Sequence, residues 1–203
     1  MSTDEPADTP AQGDPPTPGD ASLDLATAPW TRLTTRTVYE NRWIRVEEDT
    51  VLVPNGHETI YGVVRCADAV GVLPFVDADN VLLVQQYRYV AGQATWEMPT
   101  GGRNPDESLE QAAQRELAEE AGYRAEELSF LTTFHTSKSV VDETAHLYVA
   151  HDLTVANERP DDTELFRRQV WAFDDVVDMV TTGGITDSMT VVAVLLEARR
   201  RGA

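Results

Sequence analysis

The chain has 203 residues, and its 16 Lys and Arg stand against 35 Asp and Glu, which gives a formal charge of −19. A chain this acidic is repelled by nucleic acids and anionic membranes unless it carries a basic patch, and its one basic cluster, Arg199–Arg201, lies at the extreme C-terminus. The length favours one domain with a sizeable core. The single cysteine, Cys66, excludes an internal disulfide and a cysteine-based zinc site. If the ligand is a phosphate compound, metal ions are expected to hold it.

No apolar run approaches the roughly 18 residues of a membrane span, and no basic stretch followed by an apolar one marks the N-terminus as a secretory signal. We therefore expect a soluble cytoplasmic protein with no nucleic acid or membrane as its partner. Cys66 has apolar neighbours and is expected to be a thiol buried in the core.

The N-terminal segment differs in composition from the rest of the chain. Residues 1–28 contain six acids, no Lys or Arg, and five of the eleven prolines, and Pro29 follows them. Such a segment buries too little apolar surface to offset the entropy cost of ordering it. Residues 1–29 are therefore predicted to be a disordered, acidic, Pro-rich tail. The rest divides into an N-terminal β-sheet subdomain, 30–66, and a main domain, 67–203.

Strands are predicted for the first half of the remaining chain. Asn55-Gly56 lies between two runs of β-forming residues and predicts a hairpin. The apolar runs Val70–Val76 and Val81–Tyr89, separated by the turn Asp77–Asn80, predict a second hairpin that is buried on both faces.

A helical pattern follows Gly101-Gly102, with Asn104 as its predicted cap and Gly122 at its end. The remaining elements are predicted to be strands near Leu128–Phe134, Thr144–Ala150 and Arg168–Phe173, and helices near Asp174–Thr181 and Ser188–Arg200. This mixture predicts an α/β (α+β) sandwich preceded by a small antiparallel sheet.

The first helix carries acids on its apolar side. At about 100° per residue, Glu116 and Glu120 fall in the same sector as Leu109. The opposite, water-facing side is predicted to carry Glu110, Gln111, Gln114 and Ala118. An acidic helix is most often a solvated surface, but an unpaired charge in an apolar sector is costly. Glu116 and Glu120 are therefore expected to face a cation.

Glu119 adds a third carboxylate, so that Glu116, Glu119 and Glu120 follow the spacing i, i+3, i+4. Mutual repulsion raises the pKa values of such carboxylates unless cations intervene. Hard oxygen ligands of this kind suit Mg²⁺, or Mn²⁺ in its place, and these ions also bind substrate phosphates. The pattern predicts a divalent metal site for a phosphate compound.

The stretch around this helix has a specific spacing. Gly101 is followed by five residues, Glu107, seven residues and then Arg115-Glu116-Leu117-Ala118-Glu119-Glu120-Ala121-Gly122-Tyr123. This spacing resembles the signature of the Nudix hydrolases. Tyr123 departs from it, because the family has a bulky aliphatic residue at this position.

From about Thr34 to Leu196, the chain also resembles the ADP-ribose pyrophosphatase branch of that family. The similar segments are Gln86-Tyr87-Arg88, Trp96-Glu97-Met98-Pro99-Thr100-Gly101, Asp142-Glu143 and Gly184-Ile185-Thr186-Asp187-Ser188. The branch implies an α/β/α sandwich and a domain-swapped homodimer to which the N-terminal strands contribute. It also implies metal-dependent cleavage of ADP-ribose, or a related nucleoside diphosphate sugar, into a nucleotide and a sugar phosphate.

The resemblance further implies a role for each site residue. The implied metal ligands are Glu116, Glu120, Glu119 and the Thr100 carbonyl. The implied catalytic residues are Glu143 as general base, Glu119, and Arg115, which orients a glutamate. For the remaining residues, the resemblance implies that Arg88 contacts the phosphates or sugar, that Glu97 lies at the pocket wall, and that Glu107 caps the helix or supports the ligands.

Two other functions stay open at this point. One is hydrolysis of another nucleotide, such as a GDP- or UDP-sugar, NADH or a dinucleoside polyphosphate. The other is a non-catalytic sensor of nucleotide sugars. The loop Ser137–Glu143 lacks the Pro-Gly pair that the branch typically shows shortly before its acidic pair. This departure leaves the identity of the substrate open.

Overall fold

The structure is a computed structural model that describes residues 29–156 and 167–202. The predicted acidic tail lies, apart from Pro29, outside the described residues. In chain order the elements are β1 (Thr31–Glu40), β2 (Arg45–Leu52), β3 (Glu58–Arg65), β4 (Ala69–Pro74), β5 (Asn80–Arg88), β6 (Gln93–Glu97), β7 (Thr100–Gly102), α1 (Leu109–Glu116, continued by a π-helical turn at Leu117–Ala121), β8 (Tyr123–His135), β9 (Val141–Asp142), β10 (Thr144–Val155), β11 (Arg167–Ala172), α2 (Phe173–Thr181) and α3 (Ser188–Arg201). None of these helices is long and apolar enough to cross a bilayer.

Three sheets organise the described strands. The N-terminal sheet has the order β1-β2-β3-β9, and its first three strands are antiparallel. The second sheet has the order β7-β4-β10-β8, in which β4 and β10 are parallel. The third has the order β11-β5-β6. The predicted mixed α/β fold with an N-terminal antiparallel sheet is confirmed.

The central strands are buried on both faces because helices cover both. On β4, Val70 and Val72 pack with residues of α1, while Leu73, and Phe75 directly after the strand, pack with residues of α2 and α3. Side chains along a strand point alternately to its two faces, so this division places one helical layer on each side. The arrangement is an α/β/α sandwich.

One of the two predicted hairpins forms. Asn55-Gly56 lies in the turn between β2 and β3, and Gly56 has the left-handed φ of +85° that such a turn requires. The second prediction is wrong: β4 and β5 meet only at the bridge between Phe75 and Val81 and then join different sheets. Strand β4 pairs instead with β10 and β7, and β5 pairs with β11 and with the next strand, β6, so neither strand has the other as its ladder partner.

Cys66 also differs from its prediction. Its thiol is half-buried rather than enclosed in the core. Burial raises the pKa of the thiol, and the negative charges of Glu143 and Asp142 raise it further. Cys66 lies directly after β3, and its amide donates to the Asp142 carbonyl at 3.4 Å, so it joins the N-terminal sheet to the loop that carries Glu143.

Candidate active site

Helix α1 begins later than the sequence indicated. Ser108, not Asn104, is its cap: the Ser108 side chain accepts the Gln111 amide, and the Gln111 side chain accepts the Ser108 amide. Asn104 instead forms a turn with Glu107, whose backbone amide donates to the Asn104 carbonyl at 3.1 Å. The reciprocal capping box at Ser108 satisfies two backbone amides, which explains why the helix is capped by Ser108 and not by Asn104.

The acidic helix faces inward as predicted. Glu116 is 7% exposed and Glu120 is 2% exposed, whereas Glu119 is half-buried. Ala118, expected on the water-facing side, is fully buried. The helix widens at this point into the π-helical turn Leu117–Ala121. Such turns are frequent at functional sites.

Both buried carboxylates lie against one tight segment, Thr100-Gly101. The Thr100 amide donates to Glu120 Oε2 at 2.8 Å. A Cβ added at Gly101 would lie 2.0 Å from Glu116 Oε1, so glycine lets this carboxylate keep its present position. The two acids and the segment thus form one compact unit.

Arg115 joins the acids of this region. Its guanidinium donates to Glu107 at 2.7 and 3.0 Å, to Glu116 Oε1 at 2.6 Å, to Glu119 Oε2 at 3.1 Å and to the Gly102 carbonyl at 2.8 Å. The hydrogen bond from Arg115 lowers the pKa of Glu107 to about 2, and the same bond raises the pKa of Arg115. Arg115 therefore bridges Glu116 and Glu119, and Glu107 holds the guanidinium through two hydrogen bonds.

The three helix glutamates do not converge as they stand. Glu116 and Glu119 turn to Arg115, while Glu120 turns to the Thr100 amide. Within residues 29–156 and 167–202, no three acidic, histidine or cysteine side chains are gathered as a metal-binding group. The chemistry of the donors nevertheless fits Mg²⁺, because two buried carboxylates sit beside a glycine cradle that any other residue would fill.

A second network lies at the end of β5 and β6. Arg88 donates to both carboxylate oxygens of Glu97, at 2.5 to 3.0 Å, and its Nη2 is 3.5 Å from Thr100 Oγ1. The Thr95 hydroxyl also donates to Glu97. Glu97 is 2% exposed, whereas the Arg88 side chain is 42% exposed. A buried carboxylate thus holds a cation at the surface, next to the segment that contacts Glu120.

Helix α3 fixes the chain just before that segment. The Asp187 carboxylate caps α3 by accepting the Thr190 amide at 2.8 Å and the Thr190 hydroxyl at 2.6 Å. The same hydroxyl accepts the Met98 amide at 3.0 Å. Thr190 is fully buried, so this link between α3 and Met98 is shielded from water.

Glu143 lies in the chain between β9 and β10. It is half-buried, and its carbonyl accepts the Thr136 amide at 3.3 Å. Strand β9, directly before it, pairs in parallel with β3 of the N-terminal sheet. Arg65 reinforces this junction, since it pairs with Asp142 and donates to Glu47 at 2.9 Å.

Several of these supports were missed by sequence reasoning. Thr95 lies two residues before Glu97 on one strand, a spacing that puts both side chains on the same face and offered a signal. Arg65 and Thr190 offered none, because their contacts with Asp142 and Met98 join residues 77 and 92 positions apart.

The sequence matches the NUDIX domain over residues 66–187. It matches the nucleoside diphosphate sugar hydrolase N-terminal domain over residues 30–64, which cover β1 and β2 and nearly all of β3. The chain belongs to the Nudix family. The glycine segment, the inward acidic helix and Arg115 are the parts of the Nudix signature, and the enzyme is an ADP-ribose pyrophosphatase-like Nudix hydrolase.

Relatives support this membership over most of the chain. The methanol dehydrogenase activator of Bacillus methanolicus is 32% identical over 162 residues, which cover 79% of this chain and 88% of that protein. The ADP-ribose pyrophosphatase of Bacillus subtilis is 30% identical over 159 residues, covering 77% and 86% respectively. The crystal structure of an ADP compounds hydrolase superposes with a TM-score of 0.77 at 27% identity, covering 85% of this chain and 96% of the other.

Proposed function

We propose that this Nudix enzyme hydrolyses the diphosphate of ADP-ribose, or of a related nucleoside diphosphate sugar, to a nucleoside monophosphate and a sugar phosphate. The observation that carries the proposal is the pair of buried carboxylates, Glu116 and Glu120, set one helical turn apart against Thr100-Gly101. The match of the N-terminal sheet to nucleoside diphosphate sugar hydrolases supports the substrate class.

The residues that would hold Mg²⁺, or Mn²⁺, are Glu116 and Glu120, with Glu119 and the Thr100 carbonyl beside them. When bound, the ion supplies charge stabilisation of the diphosphate and a water of lowered pKa. Arg115 orients the glutamates, because its guanidinium already bonds to two of them. Glu107 fixes Arg115 from the opposite side.

Arg88 and Glu97 divide the work of binding the substrate. Glu97 is buried and holds the guanidinium of Arg88 in one orientation. The exposed part of that guanidinium is then preset for a phosphate or sugar oxygen of the substrate, without a large loss of side-chain entropy on binding.

Glu143 is proposed as the general base. Glu143 is half-buried on the loop before β10, and a carboxylate held there can accept a proton from the attacking water. Its neighbour Asp142 is tied to Arg65, so the loop is anchored on one side of Glu143.

We further propose that the enzyme is a homodimer built through its N-terminal sheet. Strand β1 is exposed along its whole length, and apolar side chains such as Val38, Tyr39 and Ile60 are more than half exposed. A cavity of about 610 Å³ beside Trp30 and Tyr61 adds to this surface. A second copy of the chain would cover it. Light scattering should give twice the chain mass of 22.4 kDa, and a monomer would contradict the assignment.

A substrate panel tests the proposed function. Purified enzyme with Mg²⁺ is incubated with ADP-ribose, ADP-glucose, GDP- and UDP-sugars, NADH and diadenosine polyphosphates, and the nucleotide products are separated by chromatography. ADP-ribose is expected to give AMP and ribose phosphate at the highest kcat/KM. Preference for another member would reassign the substrate, and binding without turnover of any member would leave a sensor in place of an enzyme.

A further inference from the structure

One arginine outside the family signature reaches the carboxyl end of the acidic helix. Arg168 on β11 donates from Nε to the Glu120 carbonyl at 2.5 Å and from Nη2 to the Glu119 carbonyl at 3.0 Å. These two backbone groups belong to two of the glutamates assigned above to the metal site. The contact spans 48 residues of sequence.

The end of this helix needs such a partner. The last carbonyls of a helix have no partner within it and carry the negative end of its dipole. Gly122 ends the helix with φ of +80° and donates its amide to Ala118, one turn back. Arg168 supplies both hydrogen-bond donors and a positive charge to the next two carbonyls, of Glu119 and Glu120.

Glycine at position 122 also leaves room for this arginine. A Cβ there would lie 3.1 Å from Arg168 Nη1, closer than ordinary van der Waals contact. The same glycine thus provides the left-handed turn and the space through which the guanidinium reaches the carbonyls.

The sheet register fixes where Arg168 stands. Val84 on β5 lies opposite Arg168 on one side and opposite Glu97 on the other. Residues directly opposite in antiparallel strands share a face, so Arg168 and Glu97 flank Val84 on the face that packs against α1. Arg168, Val84 and Glu97 thus form one row across the sheet. This row connects the Arg88–Glu97 network to the end of the acidic helix.

We propose that Arg168 is a positioning residue: by holding the carbonyls of Glu119 and Glu120, it fixes the π-helical turn and thereby the placement of these carboxylates for a divalent ion. The metal role of the two glutamates rests on the proposed function, whereas the hold on the helix end does not. Arg168 itself is exposed, so replacing its side chain removes no core packing.

Metal-free enzyme tests the inference through two readouts besides turnover. Arg168→Met keeps an aliphatic side chain and removes all donors, whereas Arg168→Lys keeps the charge but offers a single donor nitrogen in place of the two that Arg168 uses. The matched control is Arg200→Met, because Arg200 also donates to a backbone carbonyl, that of Leu131, at 3.1 Å, but at the end of α3. Mn²⁺ affinity is measured by electron paramagnetic resonance, and amide exchange of residues 117–123 by mass spectrometry.

Arg168→Met is expected to weaken Mn²⁺ binding about tenfold and to speed exchange at 117–123, with Arg168→Lys intermediate and Arg200→Met like wild type. Unchanged affinity and unchanged exchange in Arg168→Met would overturn the inference. Faster exchange with unchanged Mn²⁺ affinity would overturn its metal part and leave only a helix clamp. A wild-type enzyme that hydrolyses no member of the substrate panel, while Arg168→Met still alters exchange, would refute the proposed function and support the clamp.

Discussion

The acidic helix and the loop that carries Glu143 hold their carboxylates in opposite ways. On the helix, Glu116 and Glu120 are buried, one turn apart, and pressed against Thr100-Gly101, so a short stretch of sequence defines their neighbours. In the loop, Glu143 follows a strand of only two residues whose sole paired partner in the described sheets is β3, in the N-terminal sheet. The helix glutamates are thus held by neighbouring residues, whereas the loop is held by β3, which is distant in sequence.

This difference separates two tasks of the proposed reaction. Ligands of a metal ion need fixed positions, and a helix braced by Arg115 provides them. A general base needs to meet its water only when substrate is bound, and loops are where such closing groups are commonly found. The anchoring of the loop by Arg65 and Asp142 then sets how far Glu143 is preorganised.

Breaking the brace of the helix should have the largest effect on both activity and stability. Arg115→Met leaves Glu107, Glu116 and Glu119 without their shared cation, so we expect kcat to fall about 100-fold or more and unfolding free energy to fall by about 2 kcal/mol. Kinetics and urea denaturation measure the two. Arg36→Met removes only an exposed pair with Glu48 and should change stability by less than about 0.5 kcal/mol. Equal effects of the two variants would contradict the assignment of Arg115.

Removing the proposed base should affect activity without affecting stability. Glu143→Gln is expected to lower kcat about 100-fold, because a general base contributes at least this much, while KM and the melting temperature stay close to wild type. The matched control is Glu126→Gln, an exposed acid on β8. Wild-type kcat in Glu143→Gln would remove this residue from the mechanism.

Loosening the loop should have a smaller effect, visible mainly in dynamics. Arg65→Gln breaks the contact with Asp142 and one of the two arginine contacts of Glu47, so amide exchange over residues 136–143 should rise about tenfold. Arg45→Gln breaks only the other contact of Glu47, at 2.8 Å, and should leave the loop unchanged. Loop exchange that is equally slow in both variants would show that the ion pair does not hold the loop.

The smallest predicted effect concerns acid stability. Arg115 holds the pKa of Glu107 at about 2, below its ordinary value of 4.5, so this group stabilises the fold above pH 4.5 and loses that contribution as pH falls towards 2. Since Glu107 is partly exposed, solvent screening reduces the contribution to on the order of 1 kcal/mol. Unfolding free energies of wild type and Glu107→Gln should therefore differ at pH 6 and converge near pH 2. A difference that does not depend on pH would contradict the assignment.

Some features of the acidic helix and of the Glu143 loop could be predicted from the sequence, and others could not. The inward direction of Glu116 and Glu120 was predictable because helical periodicity is local. The buried position of Ala118 was not predictable in this way, since the same periodicity places Ala118 on the water-facing side. The contacts of Arg168 with Glu120 and of Arg65 with Asp142 were equally hidden, since they form only after strands far apart in sequence have paired.

The start of α1 and the second hairpin differ in this respect. Asn104 and Ser108 are both suitable caps, and only the reciprocal bonds of Ser108 with Gln111 decide between them. A hairpin is the local pattern of Val70–Val76 and Val81–Tyr89. In the structure, however, β4 pairs with β10 and β5 pairs with β11, both of which are distant in sequence. The capping box at Ser108 is local and could have been recognised in the sequence, whereas the partners of β4 and β5 are set by tertiary pairing.

The most direct test of the central claim is Mg²⁺-dependent hydrolysis of ADP-ribose by Glu120→Gln, beside Glu110→Gln on the outer face of the same helix. The change keeps the size of the side chain and an oxygen acceptor for the Thr100 amide, so the fold is expected to persist, as circular dichroism will check. If the buried carboxylates hold the metal, AMP release falls below about one thousandth of wild type, while Glu110→Gln stays within about twofold. Wild-type turnover by Glu120→Gln would contradict the account.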